Sequence, residues 1–341
     1  SNVLSDMVNG LVDISGTAIE LAIGIVGVMV LFLGLLKIGE KAGLIESLSK
    51  VVSPFFSVLF PDIPKNHPAI GHMMMNFSAN LLGLDNAATP FGLKAMESLQ
   101  ELNPSKDTAS NAQIMFTALL ASGLTLVPVS VIAYRAAANA QDPTDIFLPI
   151  LLSTTVATLA AIFIVGIRQK LNFFKPAFIF GILGLSGKEG WDIAVKVMPY
   201  LVAMLAAISV LRSSGVLNMF TDALSYLVAA LGGDTKFIEA LPTALMKPLS
   251  GSGARGLMVE SMTTFGPDSF TGRLSSVFQG ATDTTFYIVA LYFGSIGVTN
   301  SRYTITASLL AELAGVIAAI LITYIYFSMG IWNDVPLPTK P

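Results

Sequence analysis

The residues able to do chemistry in this sequence sit in apolar surroundings. Asp283 lies in QGATDTTFY, with Gln279, Thr282, Thr284 and Thr285 around it. A carboxylate ringed by hydroxyls and an amide has the atoms to coordinate a cation or carry a proton. Its structural use would be an ion pair with Lys247 or Arg255. Glu312, in ASLLAELAGV, is the second ion-coupling candidate. Its structural use would be pairing with Arg302, or a place at the interface near its helix start. Charges inside apolar spans cost about 2.5–3.5 kcal/mol each and are functional candidates by default. Asp283, Thr282, Thr284 and Glu312 form the ion-coupling set, with Na+ or H+ as the coupling ion.

The stretch KPLSGSGARGLM contains Gly251, Gly253 and Gly256, the G-x-G-x-x-G spacing of a dinucleotide turn. Such a turn follows a strand and opens a helix inside a βαβ unit. Here LPTALM precedes it, in an apolar stretch with no strand pattern. The glycines fit a break between half-helices, whose N-terminal N–H groups can face a ligand. Close helix packing through small residues is the other use. Lys247 and Arg255 bracket the break and suit an anionic group, or snorkel to the interface. Ser250 and Ser252 lie inside it.

A matching stretch in the first half carries Asn76, Ser78, Asn80, Asp85, Asn86 and Thr89. Amides and hydroxyls beside unwound backbone suit recognition of sugar or base groups. They also cap helices and make turns, which is the commoner use. With Lys247, Ser250, Ser252, Arg255 and Gln279 they form the substrate-binding set. Met73, Met74 and Met75 are consecutive, so they cannot all face one ion, and core packing is the stronger reading. His67 and His72 are five apart and share no helix face, so they make a poor metal pair. Ser250 and Ser252 near Lys247 imitate a Ser–Lys dyad without further support, so no enzymatic activity is expected.

Composition sets the class. Of 341 residues 53% are hydrophobic and only 12% charged, against about 25% charged in soluble domains. Mean hydropathy is +0.72. The absence of cysteine excludes disulfides, thiolate metal sites and thiol nucleophiles. A net charge of −3 gives no broad basic surface for nucleic acid. The chain begins Ser1-Asn2, and residues 1–14 are not read as a signal peptide.

A spanning helix needs about 20 apolar residues. Residues 18–37, 112–134 and 146–167 qualify, and 192–211, 275–298 and 304–327 repeat the set. Amphipathic stretches at 44–60 and 216–231 are each followed by a broken apolar stretch, at 68–97 and 238–262. A shift of 172 pairs Ala22 with Ala194, Met74 with Met246 and Ser78 with Ser250; later a shift of 158 pairs Tyr134 with Tyr292. At that shift Asp283 faces Thr125 and Glu312 faces Thr154. Three spans per half, plus a hairpin that enters and leaves on one side, turn the second half upside down. Lys37, Lys41, Lys50, Lys65, Lys94, Lys106, Arg168, Lys170 and Lys175 then share a cytoplasmic side, while Arg212, Lys236 and Arg273 fall outside against the rule. Trp191 and Trp332 sit near segment ends, as interfacial anchors do.

LFPDIPKNHPAIGHMMMNFSANLLGLDNAATPFGLKAME (59–97) closely resembles the spore maturation A proteins. LPTALMKPLSGSGARGLM with GPDSFTGRLSSVFQGATDTTFYIVALYFGSIG resembles the spore maturation B proteins. The chain looks like a fusion of the two, covering most of 15–328. Both are similar to the nucleoside recognition (gate) domains of concentrative nucleoside and ferrous iron transporters. Members usually have a further hydrophobic segment before each half, and the acidic motifs of the nucleoside transporters do not show here. The resemblance implies transporter-like architecture without naming a solute.

The expectation is an all-α integral membrane protein of two inverted-topology repeats. Each has about three spanning helices, an amphipathic helix and a broken, re-entrant hairpin. The first repeat is 15–170, a linker follows at 171–190, and the second is 191–328. The expected function is secondary transport of a small polar solute across a bacterial cytoplasmic membrane, with the site at the paired breaks. The other reading is a non-transporting scaffold or sensor in envelope or spore maturation. Expected partners are membrane lipid, the solute and a second copy of the chain.

Overall fold

The structure is a computed structural model. It describes Phe56, residues 59–64, 67–81, 85–126, 128–171, Tyr226 and residues 235–335. The expected spans at 18–37 and 192–211, most of the amphipathic stretches at 44–60 and 216–231, the linker beyond Leu171 and Trp191 lie outside the described residues.

Ten α-helices run through the described residues, and no strand. In the first half α1 (Pro68–Leu81) and α2 (Asp85–Glu101) form a hairpin. Then come α3 (Asn111–Ala121), α4 (Val129–Ala137) and the long α5 (Phe147–Arg168). In the second half a single 3-10 turn (Ile238–Ala240) leads into α6 (Leu241–Met246) and α7 (Gly251–Phe265). Then follow α8 (Phe270–Ala281), α9 (Thr285–Ser295) and the long α10 (Thr304–Ser328). The order is the same twice: hairpin, two short helices, one long helix.

The long helices match the expected spans at 146–167 and 304–327, and both are long and apolar enough to cross a membrane. They pack on each other through small side chains. Ala307, Ala311, Gly315 and Ala319 recur at every fourth position of α10, and Ser153, Ala157 and Ala161 do so on α5. That spacing lets backbones approach closely. A Cβ on Gly315 would come within 2.9 Å of both Ala157 Cβ and Thr282 Cγ2. The opposite faces leave apolar stripes uncovered: Leu152, Leu159, Phe163 and Ile167 on α5, and Leu313, Ile317 and Leu321 on α10. Stripes this large mark a surface that meets lipid or another apolar partner.

The expected plain spans at 112–134 and 275–298 are corrected. Each is two helices with a break, at 122–128 and 282–284. In the first, Gly123 takes φ +65° and Pro128, which has no N–H, precedes α4. In the second, Thr282 and Thr284 are extended. β-Branched side chains and an aspartate compete with helical hydrogen bonding there.

The ends of these helices are tied differently. At one end Arg135, fully buried, donates to Asp145 Oδ1 (2.9 Å) and Asp268 Oδ1 (3.0 Å). Arg273 donates to Asp145 Oδ2 (2.8 Å), to the Asp268 carbonyl and to Asn333 O (2.7 Å). Removing one partner from such a buried set costs about 3–5 kcal/mol. Trp332, expected as an interfacial anchor, is instead buried with its ring 5.2 Å from the Arg273 guanidinium. At the other end a network without an ion pair joins the halves: Thr299 and Asn300 N–H donate to Asp107 O, and Arg302 donates to Asn111 Oδ1.

Candidate functional site

The two breaks meet. Asp283 N–H donates to Ala121 O (3.0 Å), so the second break completes the end of α3. A Cβ on Gly123 would stand 2.7 Å from Thr282 C and 2.8 Å from Asp283 N, and only glycine permits that approach. Each break, or the helix start just after it, is also tied to the hairpin of its own half. Leu126 N–H donates to Leu81 O (2.7 Å), and Phe286 N–H to Pro248 O (3.0 Å). Helix ends leave N–H and C=O groups without intrahelical partners. Here the breaks and hairpin tips supply those partners to one another.

A cavity of about 80 Å³ lies against this junction. Its wall includes Asn80 of α1, Thr125 of the first break, Ser130 of α4, Lys247, Gly251 and Arg255 around the α7 start, and Gln279, Thr282 and Asp283. Of the expected substrate residues the wall gathers Asn80, Lys247, Arg255 and Gln279, and of the ion-coupling residues Thr282 and Asp283.

Local structure explains their placement. Ser250 caps α7, its Oγ accepting from Gly253 N–H (3.0 Å) and lying 3.3 Å from Ser252 Oγ. Gly251 packs on Thr284, whose Oγ1 would stand 2.7 Å from an added Cβ. The glycine motif therefore starts a helix at Ser250 and packs closely on the second break through Gly251. Lys247 Nζ donates to Gln279 O (2.9 Å) across the cavity wall. Arg255 lies over the Tyr134 ring at 5.8 Å. Asp283 is half-buried, and its Oδ1 accepts from Thr284 N–H (2.7 Å).

Glu312 sits behind the second break. Thr282 donates to its Oε1 (3.3 Å) and Thr285 to its Oε2 (3.0 Å). The expected pairing with Arg302 is not what forms, because Arg302 donates to Ala109 O and Asn111 Oδ1.

The remaining expected residues lie further back. Asn76 is fully buried in α1, not in unwound backbone; it donates to Ala88 O (2.7 Å) and accepts from Asn80 (3.3 Å). Ser78 is also buried in α1, its Oγ without a partner. Thr89 lies on α2, and the side chains of Asp85 and Asn86 are outside the described residues. Met73 and Met74 are core residues. His67 approaches Glu101 (3.9 Å) while His72 bonds Ser98 Oγ (3.0 Å), so the histidines go separate ways.

Sequence reasoning missed Tyr292. Buried in α9, its hydroxyl bonds Asn76 and Thr89 of the opposite half's hairpin. Gly92 leaves room for it: an added Cβ there would stand 2.7 Å from Asn76 Nδ2 and closer still to the tyrosine ring. The signal available was its pairing with Tyr134 at the 158-residue shift.

Residues 22–138 and 194–299 match the Gate family, described as nucleoside recognition. The chain belongs to this family. Both Gate segments end shortly before a long helix, so every residue lining the cavity lies within them, and Glu312 lies beyond. The chain is similar to spore maturation protein A of Bacillus subtilis (strain 168), 46% identical over 147 residues, 43% of this chain and 75% of the relative. It is also similar to spore maturation protein B of the same strain, 41% identical over 169 residues, 50% of this chain and 90% of the relative. The resemblance read from the motifs is thus borne out. No solved structure matches.

Proposed function

We propose that this Gate protein is a multi-pass protein of the cytoplasmic membrane that moves a small polar solute by alternating access. The observation that carries the reading is the meeting of two helix breaks at a polar cavity, Asp283 N–H on Ala121 O. Irregular backbone at membrane depth is tolerated where it is buried in protein or lines a wet cavity, and solute sites of secondary transporters are built that way.

Inverted topology is part of the proposal. The end of α4 and the start of α8 share the Arg135–Asp268 cluster, while the start of α3 and the start of α10 share the Arg302–Asn111 end. On this reading α3–α4 and α8–α9 cross in opposite senses. The uncovered stripes on α5 and α10 face lipid. Asp283, with Glu312 behind it, is the seat of a coupling Na+ or H+. The protein carries no catalytic step. The names of the relatives place them in spore maturation.

The test is release from proteoliposomes loaded with a mixture of small polar solutes. The full chain should release at least one, and Asp283→Asn should not. Folded, inserted protein that releases none contradicts transport and leaves the scaffold reading.

A further inference from the structure

Two residues of the cavity wall carry unmet hydrogen-bonding atoms of opposite sense, buried just behind it. Gln279 is 5% exposed, and its Oε1 has no partner. Arg255 lines the same cavity, and its Nε is buried without an acceptor. Leaving a buried donor or acceptor bare costs about 1–3 kcal/mol each, so both call for an occupant. The remaining charges on the wall are Lys247, already donating to Gln279 O, and the carboxylate of Asp283. The first turn of α7 opens on this wall at Gly251, its N–H end favouring negative charge.

The occupant must bring an acceptor with negative charge and a donor together, in little space. The cavity of about 80 Å³ is well under the ~300–1,000 Å³ of sites for drug-sized ligands. We propose, resting on the transport reading above, that the solute is a compact zwitterion, an α-amino acid. Its carboxylate meets Arg255 and the α7 start, and its ammonium group meets Gln279 Oε1 and Asp283. A neutral nucleoside supplies no charge to either cation, and it is bulkier than the space.

The test is thermal unfolding and titration calorimetry on the purified full chain with glycine, L-alanine and L-serine. Acetate, lactate, methylammonium and uridine are the comparison solutes. The amino acids should raise the unfolding temperature in step with log concentration, and acetate and methylammonium should bind at least about tenfold more weakly than alanine. Arg255→Gln and Gln279→Leu should each weaken alanine binding about tenfold, with unfolding in the absence of solute reporting that the variant folds. If Arg255→Gln does not fold, Arg255→Lys, which keeps the charge and loses the planar fork, should weaken binding by a smaller factor. Uridine binding in place of alanine, acetate binding as well as alanine, alanine binding unchanged in the variants, or no response to any amino acid each overturns the proposal. The transport reading stands or falls separately, on solute release from proteoliposomes.

Discussion

The two breaks are one backbone device carrying different chemistry. Both interrupt a helix between a hairpin and a long span, and both, at the break or the helix start just after it, bond back to the hairpin of their own half. In the first, Gly123 and Pro128 make the turn, and the side chain facing the cavity is neutral Thr125. In the second, extended threonines make it, and Asp283 stands where Thr125 does. The difference continues one layer out: Glu312 accepts from Thr282 and Thr285, whereas Thr154 only bonds back to Leu151 O. A repeated frame thus supplies symmetry of shape, while the negative charge at the centre comes from one half. That division suits a site in which one half moves against a charged counterpart.

The largest effect is expected where the breaks touch. Gly123→Val places a β-branched residue at positive φ and against Thr282. It should cost about 3–5 kcal/mol, read as a lowered unfolding temperature. Ala281→Gly, at the matching position of the other half, should cost about 1 kcal/mol or less. A similar cost at both sites would break the comparison.

The second effect is one layer out. Thr285→Val, which gives the start of α9 the residue type at the matching position 127, removes a donor to a buried carboxylate and should cost about 1.5–3 kcal/mol. Thr154→Val should cost under about 1 kcal/mol, because its hydroxyl only bonds back along its own helix. Denaturant or thermal unfolding in detergent measures both.

The third prediction separates charge from frame. Asp283→Thr makes the breaks chemically alike. Stability should change by less than about 1 kcal/mol, while the response to amino acids is lost. Adding Thr125→Asp should not restore that response.

The smallest effect is in the loop after α4. Asp142 lies below its ordinary value of 3.8, held there first by the Thr144 hydroxyl and then by the Thr144 N–H. Its contribution is present above pH 3.8 and disappears as pH falls through the lower native value. Thr144→Ala should lessen the fall in unfolding temperature below that pH, and an unchanged acid limb would contradict it.

The long helices were legible because an uninterrupted apolar run admits little else. The breaks were not. Residues 112–134 are apolar through Gly123, and 282–284 contain neither glycine nor proline. What ends these helices is a partner far away in sequence, such as Ala121 O for Asp283 N–H. The acidic candidates were legible because charge in an apolar run is conspicuous. Their surroundings were not: the hydroxyls on Glu312 depend on how α8, α9 and α10 pack, and Tyr292 reads as an ordinary core aromatic until Asn76 and Thr89 are beside it.

The measurement that tests the account most directly is water access to the junction. The chain has no cysteine, so Thr125→Cys is the sole thiol. A membrane-impermeant thiol reagent should modify it in folded, membrane-inserted protein, with alanine slowing the reaction. Ser153→Cys, at a fully buried position of α5, should react only after denaturation. A Thr125→Cys protein that is equally silent until denatured would mean a dry junction, and would contradict the claim that the two breaks frame a solute site.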